Sequence, residues 1–274
     1  MTLADFFRRR SIPGMIPALF RSLLPVKGGM RAYDLFALTV TLMIVGHADA
    51  YLANNEAWWH VPDRIVIPVF LVSIGYNSGR KHSRLLWIGA ILMTCSNWIL
   101  KRWIRLDILA MIILLRFIIG PVMNWAMKSR LRFLVLNLAL LLLYPLTNRY
   151  GEYGSLGLIM AIAGWLNKNQ SEIADNMPKP REYFIFSYLA LLGWTAWDFR
   201  FNFSILQVLL IAAGMAWVMY LLYNFRQLLL NSVAARPKDV IEKICSFMGH
   251  KSLEIYVIHA LVFQLLVGLT RIVS

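Results

Sequence analysis

Long apolar runs separated by short basic connections are the feature that most constrains how this chain folds. A helix needs about 20 apolar residues to cross the hydrocarbon of a bilayer, since each residue rises about 1.5 Å. Nine candidate runs lie near 34–54, 63–79, 84–100, 107–127, 131–148, 154–167, 183–199, 203–224 and 251–272. Because 59% of the 274 residues are hydrophobic, a single soluble core would not bury this apolar surface. The sequence predicts an all-α transmembrane bundle of about nine spans.

Two of the nine runs are shorter than the others and contain pairs of glycines. They are 63–79, with Gly75 and Gly79, and 154–167, with Gly154 and Gly157. Such segments are expected to be tilted, broken or only partly inserted. The number of spans is therefore open by one or two.

The basic residues predict the orientation of the chain. With the N-terminus inside, 20 of the 28 Lys and Arg fall on the inner side and 7 on the outer side, a bias typical of cytoplasmic loops. The net charge of +14 is thereby explained by topology, and no nucleic-acid partner is predicted. Residues 1–33 are expected to lie on the anionic lipids of the cytoplasmic leaflet as a basic amphipathic segment, ahead of a transmembrane domain over 34–274. The longest polar connections, 167–182 and 225–250, are cytoplasmic in this topology.

Three ionisable side chains fall nearest the middle of the predicted spans: His47, Arg116 and His259. A charge near the bilayer centre costs at least about 2.5 kcal/mol, so such residues usually face a cavity or a partner. Their similar depth predicts that all three line one cavity. The alternative for each histidine is a structural hydrogen bond to a neighbouring helix, and for Arg116 a pair with a buried carboxylate or a helix-end carbonyl.

The remaining polar positions contain no catalytic motif. His60 and the pair Asp63-Arg64 are expected to anchor the outer end of the second span at the interface, and His82 and His250 to be solvated in basic loops. The two cysteines have neither disulfide nor metal-ligand spacing, and no metal site is predicted.

The segment from Gly75 to Lys81 has two glycines beside a basic cluster. It lacks the spacing of a P-loop, and small-residue helix packing explains it more simply. The cationic side chains of Arg80, Lys81 and Arg84 are nevertheless suited to a phosphorylated cytosolic cofactor.

Four short segments occur in an order and spacing similar to those of a known family. Gly46-His47 stands where the family has Asp-His, and Asp63-Arg64 stands where it has Gly-Arg. Tyr150-Gly151 matches a Tyr-Gly element, and Tyr256-Val257-Ile258-His259 matches the Tyr-x-x-His of its closing span. Over about residues 34–270 the chain thus resembles the TraX family, the membrane-bound pilin acetylases of bacterial conjugation. A more distant likeness is to the acyltransferase-3 group.

This resemblance implies an activity and a location. The activity is transfer of an acetyl group from cytosolic acetyl-CoA to the N-terminal amine of a pilin subunit in the bacterial inner membrane. CoA is expected at the basic cytoplasmic mouth, near Arg80, Lys81 and Arg84. His47 would be the general base, since imidazole titrates near neutral pH. His259 would hold the thioester or the pilin backbone, and Arg116 would stabilise the oxyanion.

Three other functions stay open at this stage. The acceptor of an acyl group could be a sugar, a lipid or a surface polymer of the envelope, because no motif distinguishes an amine from a hydroxyl acceptor. The same three ionisable residues would also suit the substrate or proton path of a small transporter. Without catalysis, the chain would be an assembly factor of the pilus machinery.

Overall fold

The computed structural model describes residues 31–52, 56–78, 83–99, 106–196, 202–225 and 240–273. The helices are α1 (Ala32–Leu52), α2 (Ala57–Tyr76), α3 (Arg84–Ile99), α4 (Ile108–Ala126), α5 (Arg130–Tyr150), α6 (Gly154–Lys168), α7 (Pro180–Ala196), α8 (Ile205–Tyr223), α9 (Val240–His250) and α10 (Ser252–Val273). A 3-10 turn, Gln170–Glu172, follows α6, and one isolated bridge joins Leu106 to Gly151. These ranges contain no β-strand, which confirms the predicted all-α class.

Four of the helices, α2, α4, α5 and α8, are long and apolar enough to cross a membrane. Shorter apolar stretches lie in α3, at Arg84–Ser96, and in α10, at Ser252–Leu266. Large apolar side chains point outward from the bundle, among them Leu131, Leu138, Leu142, Ile205 and Leu209. An apolar outer surface of this extent is suited to lipid rather than to water. The membrane character predicted from hydropathy is therefore supported by these helices.

The ends of several helices follow from local sequence. Asp107 caps α4 by accepting a hydrogen bond from the amide of Ala110 at 3.0 Å. Ser129 caps α5 in the same way, and Ser204 forms a capping box with Gln207 at the start of α8. Each cap satisfies a backbone N–H that the first turn of a helix leaves without a partner.

Helix α6 lies in the middle of the bundle, where it packs against α2, α4, α5 and α7. Almost all of its side chains are buried. A Cβ on Gly164 would lie 1.9 Å from the carbonyl oxygen of Val72, and one on Gly75 would lie 1.7 Å from that of Ala161. The glycines therefore let the backbones of α2 and α6 touch. This contact supports the small-residue packing expected at Gly75.

Helix α9 occupies part of the segment that the sequence predicted only as a polar connection. It packs against the start of α1, where a Cβ on Gly249 would lie 2.2 Å from the carbonyl oxygen of Tyr33. Arg31 joins the two elements, with its guanidinium 2.9 Å from Asp34 and 3.4 Å from Glu242. The correction has a physical reason, because a helix this short is stabilised by its packing on α1 rather than by its own sequence.

Candidate functional site

We name the two ends of the bundle by residues of α1, so that α1 runs from the Arg31 end to the Asp49 end. The central feature of the site is a contact between α1 and α10, in which His47 Nδ1 lies 3.0 Å from His259 Nε2. The two rings are stacked, with centroids 5.1 Å apart, and both are half-buried. Two of the three ionisable residues predicted inside the spans are therefore direct partners, although 212 positions separate them.

The proton positions of this pair follow from its third member, the backbone carbonyl of Ile255. His259 Nδ1 lies 2.7 Å from that oxygen, which only accepts, so Nδ1 of His259 carries the hydrogen. Nε2 of a neutral His259 is then an acceptor, and His47 Nδ1 donates to it. It follows that Nε2 of a neutral His47 holds the lone pair, which makes it the basic nitrogen of the pair.

A carboxylate from α2 lies beside the histidine pair. Oδ2 of Asp63 would be 3.0 Å from a Cβ at Gly46, the residue next to His47 in α1. Asp63 is also close enough to act electrostatically on His47.

His60, expected as an anchor at the outer end of the second span, is buried between α1 and α2. Its side chain is 5% exposed, with Nδ1 3.4 Å from Asp63 Oδ2 and Nε2 3.8 Å from Asp49 Oδ2. Asp49 is equally buried and faces His60 rather than His47, because residues two apart on a helix are separated by about 200°. A chain of ionisable groups thus leads from His47 through Asp63 and His60 to Asp49.

The polar region continues on the other side of Asp63. Arg64, Glu152 and Asp63 are each within electrostatic range of Tyr153. Tyr153 has a φ of 61°, a left-handed conformation that is uncommon for a bulky residue. The turn before α6 is thereby held against the first turns of α2.

A cavity of about 360 Å³ lies between α1, α2, α3, α4 and α10. This volume is in the range of small-molecule sites. Its polar lining consists of Ser73, Asn77, Ser83, Arg116, His250, Ser252 and Tyr256. Most of these residues come from the Arg31 end, where α2 finishes and where α3 and α10 begin. Arg116, the third predicted membrane residue, therefore belongs to this cavity.

Tyr256 connects the cavity with the histidine pair. Its ring lines the cavity, and its centroid is 6.0 Å from that of His47 and 5.4 Å from that of His259. Phe70 packs against it at 6.5 Å. The prediction that His47, Arg116 and His259 line one cavity is therefore wrong. Arg116 and Tyr256 line the cavity, and the pair of His47 and His259 lies beside the Tyr256 ring.

The remaining predicted site residues are only partly described. Arg84 is exposed at the start of α3, next to the cavity-lining Ser83. Arg80 and Lys81 lie outside the described residues, as does nearly all of the 1–33 segment. Within the described ranges, no group of three or more His, Cys, Asp or Glu is arranged to hold a metal ion.

Sequence reasoning missed His60 and Asp49 as members of the site. One signal was present, because His60 and Asp63 are three residues apart and so share a face of α2. Comparison with models of known protein families, with curated proteins and with solved structures found no match to this chain.

Proposed function

We propose that this protein is an integral-membrane acetyltransferase, which moves an acetyl group from acetyl-CoA to the N-terminal amine of a pilin subunit. The observation that carries the proposal is the contact of 3.0 Å between His47 Nδ1 and His259 Nε2 inside an apolar bundle. An amine acceptor has to lose a proton before or during its attack on a thioester. His47 Nε2 is the basic nitrogen for that step.

The surroundings of His47 support this role. When Nε2 takes up a proton, the positive charge is shared with a hydrogen bond to His259 and faces the carboxylate of Asp63. Two partners for an imidazolium in an apolar bundle reduce the free energy of charging it. The pair therefore suits a base that is neutral at rest and charged only during the reaction. His259 acts here by positioning His47, rather than by holding the thioester.

The resemblance to the TraX family gains support from how its elements come together. Gly46-His47, Asp63-Arg64 and Tyr256 to His259 all meet at the histidine pair, and Tyr153 follows the Tyr-Gly element near Arg64. Moreover, this chain has Gly where the family has Asp at position 46, and Asp where it has Gly at position 63. The two positions face each other, so the exchange keeps one carboxylate in one place.

The donor would use the cavity. In the proposed topology of about nine spans with a cytoplasmic N-terminus, the Arg31 end faces the cytoplasm, where CoA occurs. Its phosphates would meet the basic side chains of that end, including Arg80, Lys81 and Arg84, because a charged CoA does not cross lipid. The acyl arm would enter the cavity and reach Tyr256, with Arg116 in the lining to stabilise the developing oxyanion.

Mass spectrometry of the host's pilin, with and without this gene, tests the proposal. Loss of the mass of one acetyl group from the pilin N-terminus is the expected result on deletion. His47→Ala should reproduce that loss, since removing a general base lowers such rates by about 10² to 10⁴. Thr39→Val is the matched control, because Thr39 is a buried polar residue of α1 that donates only to the carbonyl of Leu35. Fully acetylated pilin in a well-folded His47→Ala strain would contradict the proposal.

A proton-coupled transporter is the second candidate. It is favoured by the run of ionisable groups from the histidine pair to Asp49, which also resembles a proton path. Thermal unfolding of the purified protein with and without acetyl-CoA distinguishes the two. An acyltransferase is stabilised by its donor, whereas this transporter has no reason to bind it.

A further inference from the structure

A run of ionisable groups extends beyond the histidine pair, and its last two members, His60 and Asp49, are not needed to bind a donor or to support His47. It starts at Asp63, whose Oδ2 lies 3.4 Å from His60 Nδ1, and it continues from His60 Nε2 to Asp49 Oδ2 over 3.8 Å. His60 and Asp49 are both 5% exposed in their side chains. The approach of His60 to Asp49 is therefore shielded from solvent.

Within this run of ionisable groups, two carboxylate oxygens are buried and accept no hydrogen bond from the described residues. They are Oδ1 of Asp63 and Oδ2 of Asp49. A buried acceptor without a donor costs about 1–3 kcal/mol. Such oxygens are ready to receive a proton, and an imidazole between two carboxylates can accept at one nitrogen while it releases at the other.

We propose that Asp63, His60 and Asp49 form a proton exit, which carries a proton from His47 to the Asp49 end of the bundle in each acyl transfer. This inference rests on the proposed function. It assigns to these three residues the transfer of a proton rather than contact with the acetyl group.

The stoichiometry of the reaction requires such an exit when the acceptor is an ammonium group. An α-amino group has a pKa near 8 and is mostly protonated at neutral pH. A C–N bond forms, the C–S bond of the thioester breaks, and nitrogen gives up two protons on the way from ammonium to amide. One proton returns through His47 to the thiolate, which leaves as CoA thiol. The other must leave the site, whereas a hydroxyl acceptor would release no net proton.

Residues from several helices surround this run of ionisable groups. Asp63 faces His47 of α1 and, on its own helix, neighbours Arg64. From the turn before α6, Tyr153 and Glu152 approach the same region. His259 of α10 contacts the chain only through His47. The path from His47 to Asp49 therefore runs along the face where α1 and α2 meet.

His60→Ala tests the proton exit in purified protein supplied with acetyl-CoA and a short apolar peptide that has a free amino terminus. Release of CoA thiol and the peptide mass are followed between pH 6 and pH 9. Near pH 7 we expect a loss of about tenfold or more. The loss should shrink above about pH 8, where the amine is neutral and no proton has to leave. Added imidazole should restore the rate.

Trp59→Ala is the matched control, since it removes the large, exposed ring next to His60 and leaves the chain intact. If His60→Ala has the wild-type rate, the proposed proton exit is overturned and the proposed function is not. So does a loss that is equal at every pH and is not restored by imidazole, because a structural defect would behave in that way. If the wild-type protein releases no thiol with this donor and acceptor, the proposed function itself is overturned, and the proton exit with it.

Discussion

The two sides of helix α2 differ in how closely their neighbours approach. Toward α6, backbone meets backbone at Gly75 and Gly164, where added Cβ atoms would fall less than 2 Å from carbonyl oxygens. Toward α1, contact is made by side chains: His60 Nε2 lies 3.8 Å from Asp49 Oδ2, and Asp63 Oδ2 would lie 3.0 Å from a Cβ at Gly46. One side fixes the helix in place, while the other holds groups that can change charge.

This difference has a physical reason. Close backbone contact between helices in lipid gains dispersion energy over a large area and tolerates no added volume. Ionisable side chains in the same bundle need room for hydrogen bonds and for a shift of proton position. The tight side of α2 therefore acts as the scaffold that sets the distances on the polar side.

The largest effect is expected on stability, from a substitution where α2 and α6 touch. Gly164→Leu would force apart the backbones of α2 and α6, since even its Cβ meets the carbonyl oxygen of Val72 at 1.9 Å. We expect a destabilisation above about 4 kcal/mol and little folded protein in the membrane. Size-exclusion chromatography in detergent measures this. Gly193→Leu in α7 is the control, because nothing lies within 4 Å of a Cβ there. Equal yields of folded protein from both variants would contradict the tight backbone contact between α2 and α6.

The next effect concerns the histidine pair. His259→Leu leaves His47 Nδ1 without its acceptor at 3.0 Å, so protonated His47 is less stable. We expect the rate of acetyl transfer to fall by about 10²-fold while the amount of folded protein is kept. The control is Ile258→Ala, an exposed neighbour on the same helix. A rate within about twofold of wild type would show that the pair is structural only.

A smaller effect is expected at the contact of Gly46 with Asp63. A Cβ at position 46 would lie 3.0 to 3.2 Å from the carboxyl group, which has to move by a few tenths of an ångström. Gly46→Ala should therefore reduce transfer by about tenfold or less. The exchange Gly46→Asp with Asp63→Gly should be more active than either single change, since it returns one carboxylate to one place. An exchange variant no better than the single changes would contradict a shared carboxylate position.

The smallest expected effect is on thermal stability, and it concerns Asp107 at the N-cap of α4. Burial raises the pKa of Asp107 to about 7, with a further contribution from the negative charge of Glu152. Between about pH 4 and pH 7, the folded protein holds a proton that the unfolded chain has released, so stability falls as the pH rises. Below about pH 4 both states are protonated and the difference disappears.

Asp107→Asn removes this dependence and keeps a capping side chain. We expect it to melt a few degrees higher than wild type at pH 8 and at the same temperature at pH 4. Thermal unfolding in detergent at both values is the measurement. A gain of equal size at both pH values would assign the effect to packing rather than to the charge.

Much of the fold was predictable because it depends on local chemistry. Hydropathy predicted helices, and small polar residues such as Ser129 and Asp107 stand where helices begin. The cost of charge in lipid singled out His47, Arg116 and His259 together, and two of these three, His47 and His259, are in contact. By contrast, helix α9 was missed, because its stability comes from packing on α1, a contact between segments far apart in the chain.

The sequence by itself determined that the chain forms apolar helices and that a few ionisable groups lie within them. Hydropathy gives the depth of a residue, but it does not give the direction in which its side chain points across the bundle. Only the tertiary structure decided that His47 meets His259, that Asp63 fills the space beside Gly46, and that His60 is buried next to Asp49. These contacts depend on how α1 packs against α2 and against α10, which joins segments far apart in the chain.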